Sequence, residues 1–211
     1  MQISGIFLCI GISAFLCGMK TPGGIPFNYT DTTIISSQKN EKVQWLTLAE
    51  AEAKTVSQKK AIIIDLYTDW CGWCKIMDQN TYTNPHVVQY IHDKFYPVKL
   101  NAETKEVLTW RGRQFKYNDQ YRVHDYAILL TGGQLSYPST VILPADGSAP
   151  QVIPGYLKAP EMELILKYFG EGHYGKTPFE TYRKDFTQTW KYFFYSQQYK
   201  NQLYRYMSGF S

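Results

Sequence analysis

The spacing of apolar positions changes period several times along the chain, and each change marks an element. Thr47 is a helix-capping residue with Glu50 three positions on, the spacing of a capping box, and Leu48, Ala51 and Ala53 carry the helix to about Lys59. Ala61-Ile62-Ile63-Ile64-Asp65-Leu66-Tyr67 follows, a short β-branched run bounded by turn-tolerant residues, which predicts a buried strand. A helix is predicted over 71–80. Asn84-Pro85 starts another, with Val87, Val88, Ile91 and Phe95 at helical spacing. Residues 96–100 read as a second strand. The alternation over 108–115, interrupted by Gly112, predicts a small hairpin. Residues 121–130 read as a helix stopped by Gly132-Gly133. Residues 139–143 form a third predicted strand, Pro144-Ala145-Asp146-Gly147 a turn, and Gln151-Val152-Ile153 a fourth, antiparallel strand. The final pattern of the domain, 159–169, is an amphipathic helix with Met162, Ile165, Leu166 and Phe169 inward. This order predicts a small α/β sheet with helices on both faces and an antiparallel edge.

The two ends fall outside that pattern. Residues 1–19 hold an almost wholly apolar run from Ile3 to Met19, too short and Gly-rich for a spanning helix of about 20 residues. The run fits the core of a secretory signal, although no Lys or Arg precedes it and no A-x-A site follows. Soluble export is the expectation, with a lipid anchor on Cys17 or a retained membrane-targeting segment as alternatives. Residues 20–40, with Pro22, Gly23, Gly24 and Pro26, read as a linker. Residues 41–170 are the expected domain. Residues 171–211 form an aromatic-rich extension with helices expected near 179–186 and 189–206; its aromatics either pack on the domain or offer a partner surface.

Composition narrows the class. A hydrophobic content of 44% over 211 residues suits one folded domain with embellishments. The net charge of +4 is spread without a Lys/Arg block, which argues against a nucleic-acid partner. The chain has four cysteines, and Cys9 and Cys17 lie in the signal-like run. Cys71 and Cys74 are then the pair left after processing, which excludes a framework of structural disulfides.

That pair follows a predicted strand and opens a predicted helix. Unpaired N–H groups and the positive end of the dipole at a helix N-terminus favour a thiolate. Cys71 is therefore the expected nucleophile and the more exposed of the two. Cys74, one turn on, resolves a mixed disulfide. The alternative, half of a zinc site, needs two further ligands, and no second C-x-x-C exists. His86, His92, His124 and His173 are scattered without ligand spacing and are expected at the surface. No metal or cofactor is expected beyond the redox-active pair itself. Asp65, an acid inside an apolar strand, is expected to be buried with its proton affinity raised, as a proton acceptor for Cys74.

Over 41–170 the chain resembles the thioredoxin superfamily. The resemblance rests on Asp65 six residues before Cys71, Trp70 in W-C-x-x-C, Val98-Lys99-Leu100-Asn101, Tyr137-Pro138-Ser139-Thr140 and Gly155. Asp69–Tyr82 is similar to the exported thioredoxin-like group that includes the C-terminal domain of thiol:disulfide interchange proteins. The resemblance implies a thioredoxin fold: a central mixed sheet flanked by helices, with an insertion before a cis-proline and a C-terminal helical tail. It implies that Lys99 partners Asp65, and that Pro138 follows a cis bond which sets the Tyr137 backbone beside the cysteines. Trp70, Trp73, Tyr137 and Pro138 are the expected substrate-binding residues, with Trp70 expected to pack and Trp73 either to rim the site or to shield Cys74. The activity implied is protein-disulfide reduction outside the cytoplasm, in a periplasm, on protein or peptide disulfides, with electrons from a membrane thiol donor. The alternatives are a disulfide oxidase or isomerase, and a binding module on the same scaffold. Trp73 in place of the usual Pro, the segment of roughly 30 residues before Pro138, and the aromatic tail depart from thioredoxin.

Overall fold

The computed structural model describes residues 42–190. The signal-like run, the linker and the second tail helix expected near 189–206 lie outside these residues, apart from 189 and 190. Helix α1 (Leu48–Ser57) starts with the capping box, Thr47 Oγ1 accepting from Glu50 N at 3.2 Å and Glu50 Oε2 accepting from Thr47 N at 2.8 Å. Strand β1 (Ala61–Tyr67) leads to α2 (Gly72–Asn80), then α3 (Pro85–Lys94), capped by the Asn84 side chain, and β2 (Phe95–Asn101). Phe95 ends the helical spacing of α3 but is itself the first residue of β2. The insertion comprises the ribbon β3 (Leu108–Trp110) and β4 (Arg113–Phe115), a second ribbon of β5 (Tyr117–Asn118) and β6 (Val123–His124), and helix α4 (Asp125–Thr131). Strands β7 (Ser139–Leu143) and β8 (Gln151–Pro154), then α5 (Ala159–Gly170) and α6 (Phe179–Asp185), complete the order.

The helix expected over 121–130 is therefore shorter at its start. Residues 123–124 pair with 117–118 instead, because His124 caps α4, its Nδ1 accepting from Tyr126 N at 3.1 Å. Gly132 ends α4 in the left-handed conformation, φ 60°, which costs little without a Cβ.

The main sheet runs β2-β1-β7-β8, with β1 parallel to β2 and antiparallel to β7, and β7 antiparallel to β8. Alternation along β1 sends Ile62, Ile64 and Leu66 to one face and Ile63 and Asp65 to the other. The first face packs under α1, α4 and the insertion, with Ala51, Phe115, Val123, Tyr126 and Val141 in its core. The second packs under α2, α3 and α5, with Met77, Val87, Ile91, Ile142, Met162 and Leu166. Gly170, at the end of α5, is fixed by contact: a Cβ there would sit 2.9 Å from the Tyr90 ring. At one edge of the sheet Leu46 bridges to Val98 of β2, its N–H donating to Pro97 O at 2.8 Å. At the other edge lies β8, flanked by Pro150 and ending on Pro154.

Helix α5 buries more than its apolar stripe. Glu163 and Lys167 are buried too. Glu163 Oε1 accepts from Lys167 Nζ at 2.9 Å, Thr189 N at 2.8 Å, Thr189 Oγ1 at 3.1 Å and Trp190 N at 3.2 Å. Residues 186–190 thus cross the polar side of α5 as a strap, and Trp190 packs beside His86 and Tyr90.

Candidate active site

The site is built where β1 hands over to α2. Cys71 N donates to Thr68 O at 3.1 Å, closing the turn after the strand. Cys71 then takes the N-cap position of α2, and its Sγ accepts from Cys74 N at 3.1 Å. A sulfur thus occupies the place a Ser or Asp oxygen usually takes at a helix start, where an N–H and the dipole favour negative charge on it. Cys71 and Cys74 form a disulfide. Both cysteines are buried, Cys71 4% and Cys74 3% accessible, so Cys71 exceeds Cys74 only marginally: in the closed disulfide each sulfur covers the other beneath the flanking side chains.

Asp65 is buried on the sheet face that α2 covers. Desolvation raises its pKa from 3.8 to about 6, against the attraction of Lys99. Lys99 lies directly across from it in β2, with Nζ 3.1 Å from Asp65 Oδ2. The same ammonium pairs with Asp78 on α2 and lies over the rings of Trp45 and Tyr67. The two carboxylates hold the lysine charged and raise its pKa.

Trp70 does not pack inside. It is 66% exposed, held from the side by Nε1 donating to Glu103 Oε1 at 3.0 Å and by an edge contact with Tyr137. An exposed indole is tolerable there because its one polar atom is satisfied and its edge is supported. Trp73 is 54% exposed and stacks on Tyr156 with ring centroids 5.6 Å apart. The Tyr137–Pro138 peptide is cis, and Pro138 is buried. The Trp70–Tyr137 contact brings the start of α2 and the β7 approach together.

Sequence reasoning left out several neighbours. Glu103 and Tyr156 steady the two indoles, and nothing in their local sequence announces it. Asp78 lies four residues after Cys74, one helical turn on, a spacing that would have found it. His124, expected at the surface, is fully buried as the cap of α4. Among the described residues no group of three or more His, Cys, Asp or Glu could hold a metal ion, and no helix is long and apolar enough to cross a membrane.

The family model of the thioredoxin-like domain matches residues 48–170, more than half of the chain. The chain belongs to the thioredoxin-like family of thiol-disulfide oxidoreductases. This thioredoxin-like chain is similar to the thiol:disulfide interchange protein DsbD of Neisseria meningitidis serogroup A, 27% identical over 101 residues, which cover 47% of the chain and 14% of that protein. It thus spans about one-seventh of the length of that relative. Among solved structures it is similar to a DsbH oxidoreductase, at TM-score 0.47 and 17% identity, covering 69% of this chain and 94% of that one. The oxidised C-terminal domain of Neisseria meningitidis DsbD gives TM-score 0.39 and 22% identity, covering 58% and 90%. The mixed sheet flanked by helices, the insertion before Pro138 and the helical tail are those of the expected fold.

Proposed function

We propose that the protein reduces protein or peptide disulfides outside the cytoplasm through Cys71 and Cys74. The observation that carries this reading is the Cys71 sulfur capping α2 and accepting the Cys74 N–H, which favours the thiolate. In the dithiol form the Cys71 thiolate attacks one sulfur of a substrate disulfide. A mixed disulfide forms, and the first substrate cysteine leaves as a thiolate. Asp65 takes the Cys74 proton, and the Cys74 thiolate attacks Cys71 Sγ. The second substrate cysteine leaves, and both protein electrons have passed to the substrate. Two electrons from a thiol partner, a membrane thiol-transfer protein in this reading, restore the dithiol.

The exposed Trp70 and Trp73 and the Tyr137–Pro138 segment are the substrate-binding surface in this scheme, along which an extended chain pairs with the Tyr137 backbone. Similarity to a protein named for thiol:disulfide interchange supports exchange at this pair, and reduction is the direction we propose for it. A periplasmic setting, with the chain soluble or tethered, is supported by the signal-like run from Ile3 to Met19.

Insulin reduction with dithiothreitol as donor tests the activity. Cys71→Ser should abolish it, and Cys74→Ser should accumulate mixed disulfides with substrate; wild-type turnover in Cys71→Ser removes the enzyme reading. The reduction potential tests the direction: a value near −270 mV fits a reductant, and one near −120 mV fits an oxidant.

A further inference from the structure

Six buried side-chain oxygens have no hydrogen-bond partner among the described residues beyond the Lys99 ion pair at Asp65 Oδ2, and four of the six belong to Asp65, Tyr82 and Thr140. These residues converge. Thr140 lies directly across from Asp65 in the β1–β7 pairing, as Lys99 does in the β1–β2 pairing. Cross-strand partners project to the same face, so Asp65, Thr140 and Lys99 form one polar row under α2, in line with the apolar row Ile63, Ile142 and Pro97. Tyr82 follows α2 and is 2% exposed, its ring edge-on to Trp45. Its hydroxyl lies beside Thr140 and within the field of Asp65.

Packing does not explain these hydroxyls. Ile142, two residues on from Thr140 and on the same face, shows that an aliphatic side chain suits that surface. A buried hydroxyl without a partner costs on the order of 1–3 kcal/mol, and an unpaired carboxylate costs more. Lys99 offsets the cost at Asp65 Oδ2, but Asp65 Oδ1 and the two hydroxyls lower theirs only by serving one another.

We propose that Tyr82 and Thr140 are positioning residues that hold the Asp65 carboxyl where it exchanges a proton with Cys74. This inference rests on the proposed function. The hydroxyls donate to the carboxylate while Asp65 is the base, and Thr140 Oγ1 accepts from the carboxylic acid once Asp65 has taken the proton. The proton leaves Cys74 Sγ for Asp65; the Cys74 thiolate then forms the Cys71–Cys74 bond as the bond from Cys71 to substrate breaks and the substrate thiolate leaves. The charged and titratable groups facing Asp65 are Lys99 from β2, Asp78 from α2, Tyr67 from β1 and Tyr82 from the loop after α2.

The test compares wild type with Tyr82→Phe, Thr140→Val and the control Thr140→Ser. The Asp65 carboxyl carbon is titrated by NMR in the oxidised protein, where no substrate is needed, and insulin reduction is followed against pH. Removing a donor destabilises the carboxylate, so the Asp65 midpoint and the acid limb of the rate should both move up by about one pH unit in Tyr82→Phe and Thr140→Val. Thr140→Ser should keep the wild-type midpoint. Each variant stands alone, so failure of one to fold leaves the other to decide. An Asp65 titration unchanged in a folded, active variant overturns this inference and leaves the proposed function intact. A wild type that reduces no disulfide removes the proposed function, whatever the titration shows.

Discussion

Asp65 interrupts a run of isoleucines, and its burial has a thermodynamic signature separate from catalysis. Its folded pKa of about 6 stands above the ordinary 3.8, so the native state binds this proton more tightly than the unfolded chain does. Stability therefore falls as pH rises through that window, and the loss is complete above it. Asp65→Asn, which cannot ionise, should be more stable than wild type at pH 8 by up to about 3 kcal/mol and should gain little at pH 3. Urea denaturation at both pH values checks this; an equal gain at both would mean that burial of the charge is not the cause. The acid was legible in the sequence because it breaks an apolar strand. Cys71 and Cys74 were legible because their spacing and their place after that strand are local. Tyr82 and Thr140 were not, since they meet Asp65 only through strand register and the turn after α2. Trp70 was misread because local pattern does not show that Glu103, 33 residues on, satisfies its indole N–H.

At the scale of elements, the insertion and the strap each depend on one buried titratable group. His124 caps α4 through Nδ1, which must be unprotonated to accept from Tyr126 N, while Nε2 lies 3.1 Å from Glu106 O and donates to it. Burial holds its pKa below the usual 6.5. The neutral ring is the native one, so its contribution is present above about pH 6.5 and is lost as pH falls through the lower folded value. Amide exchange in α4 and the β5–β6 ribbon should accelerate as pH falls below the ordinary 6.5 and through the lower folded value, after correction for intrinsic rates, while β1 stays protected. His124→Asn, which keeps a capping oxygen, should flatten that dependence.

The strap depends on Glu163, which carries the amides of Thr189 and Trp190 as well as the Lys167 charge. Glu163→Ala leaves a buried ammonium unpaired and should cost about 3 kcal/mol. Limited proteolysis should then cut between 186 and 190, where the wild type resists. The amphipathic reading of α5 named Met162, Ile165, Leu166 and Phe169 as inward and left Glu163 and Lys167 out, because a helical pattern records one helix alone. The segment that covers them lies more than 20 residues further along the chain.

For the molecule as a whole, the order of elements along the chain, the helices on both faces and the antiparallel edge were legible from period changes, because each element of the sheet carries its own apolar pattern. The start of α4 was not, since Tyr121 to Leu130 has helical composition but Val123 and His124 are drawn into pairing with Tyr117 and Asn118. The outer strands have a further consequence, for self-association. An open strand edge invites another chain to add to it. Leu46 occupies part of the β2 edge. At β8, Gly155 N–H points inward to Pro138 O, so alternation aims positions 154, 152 and 150 outward. Two of these three are prolines, which have no N–H to offer. A double variant Pro150→Thr/Pro154→Thr should therefore self-associate more strongly than wild type with rising concentration in sedimentation velocity. Val152 alone is left to donate along that rim, too little to template a fibril.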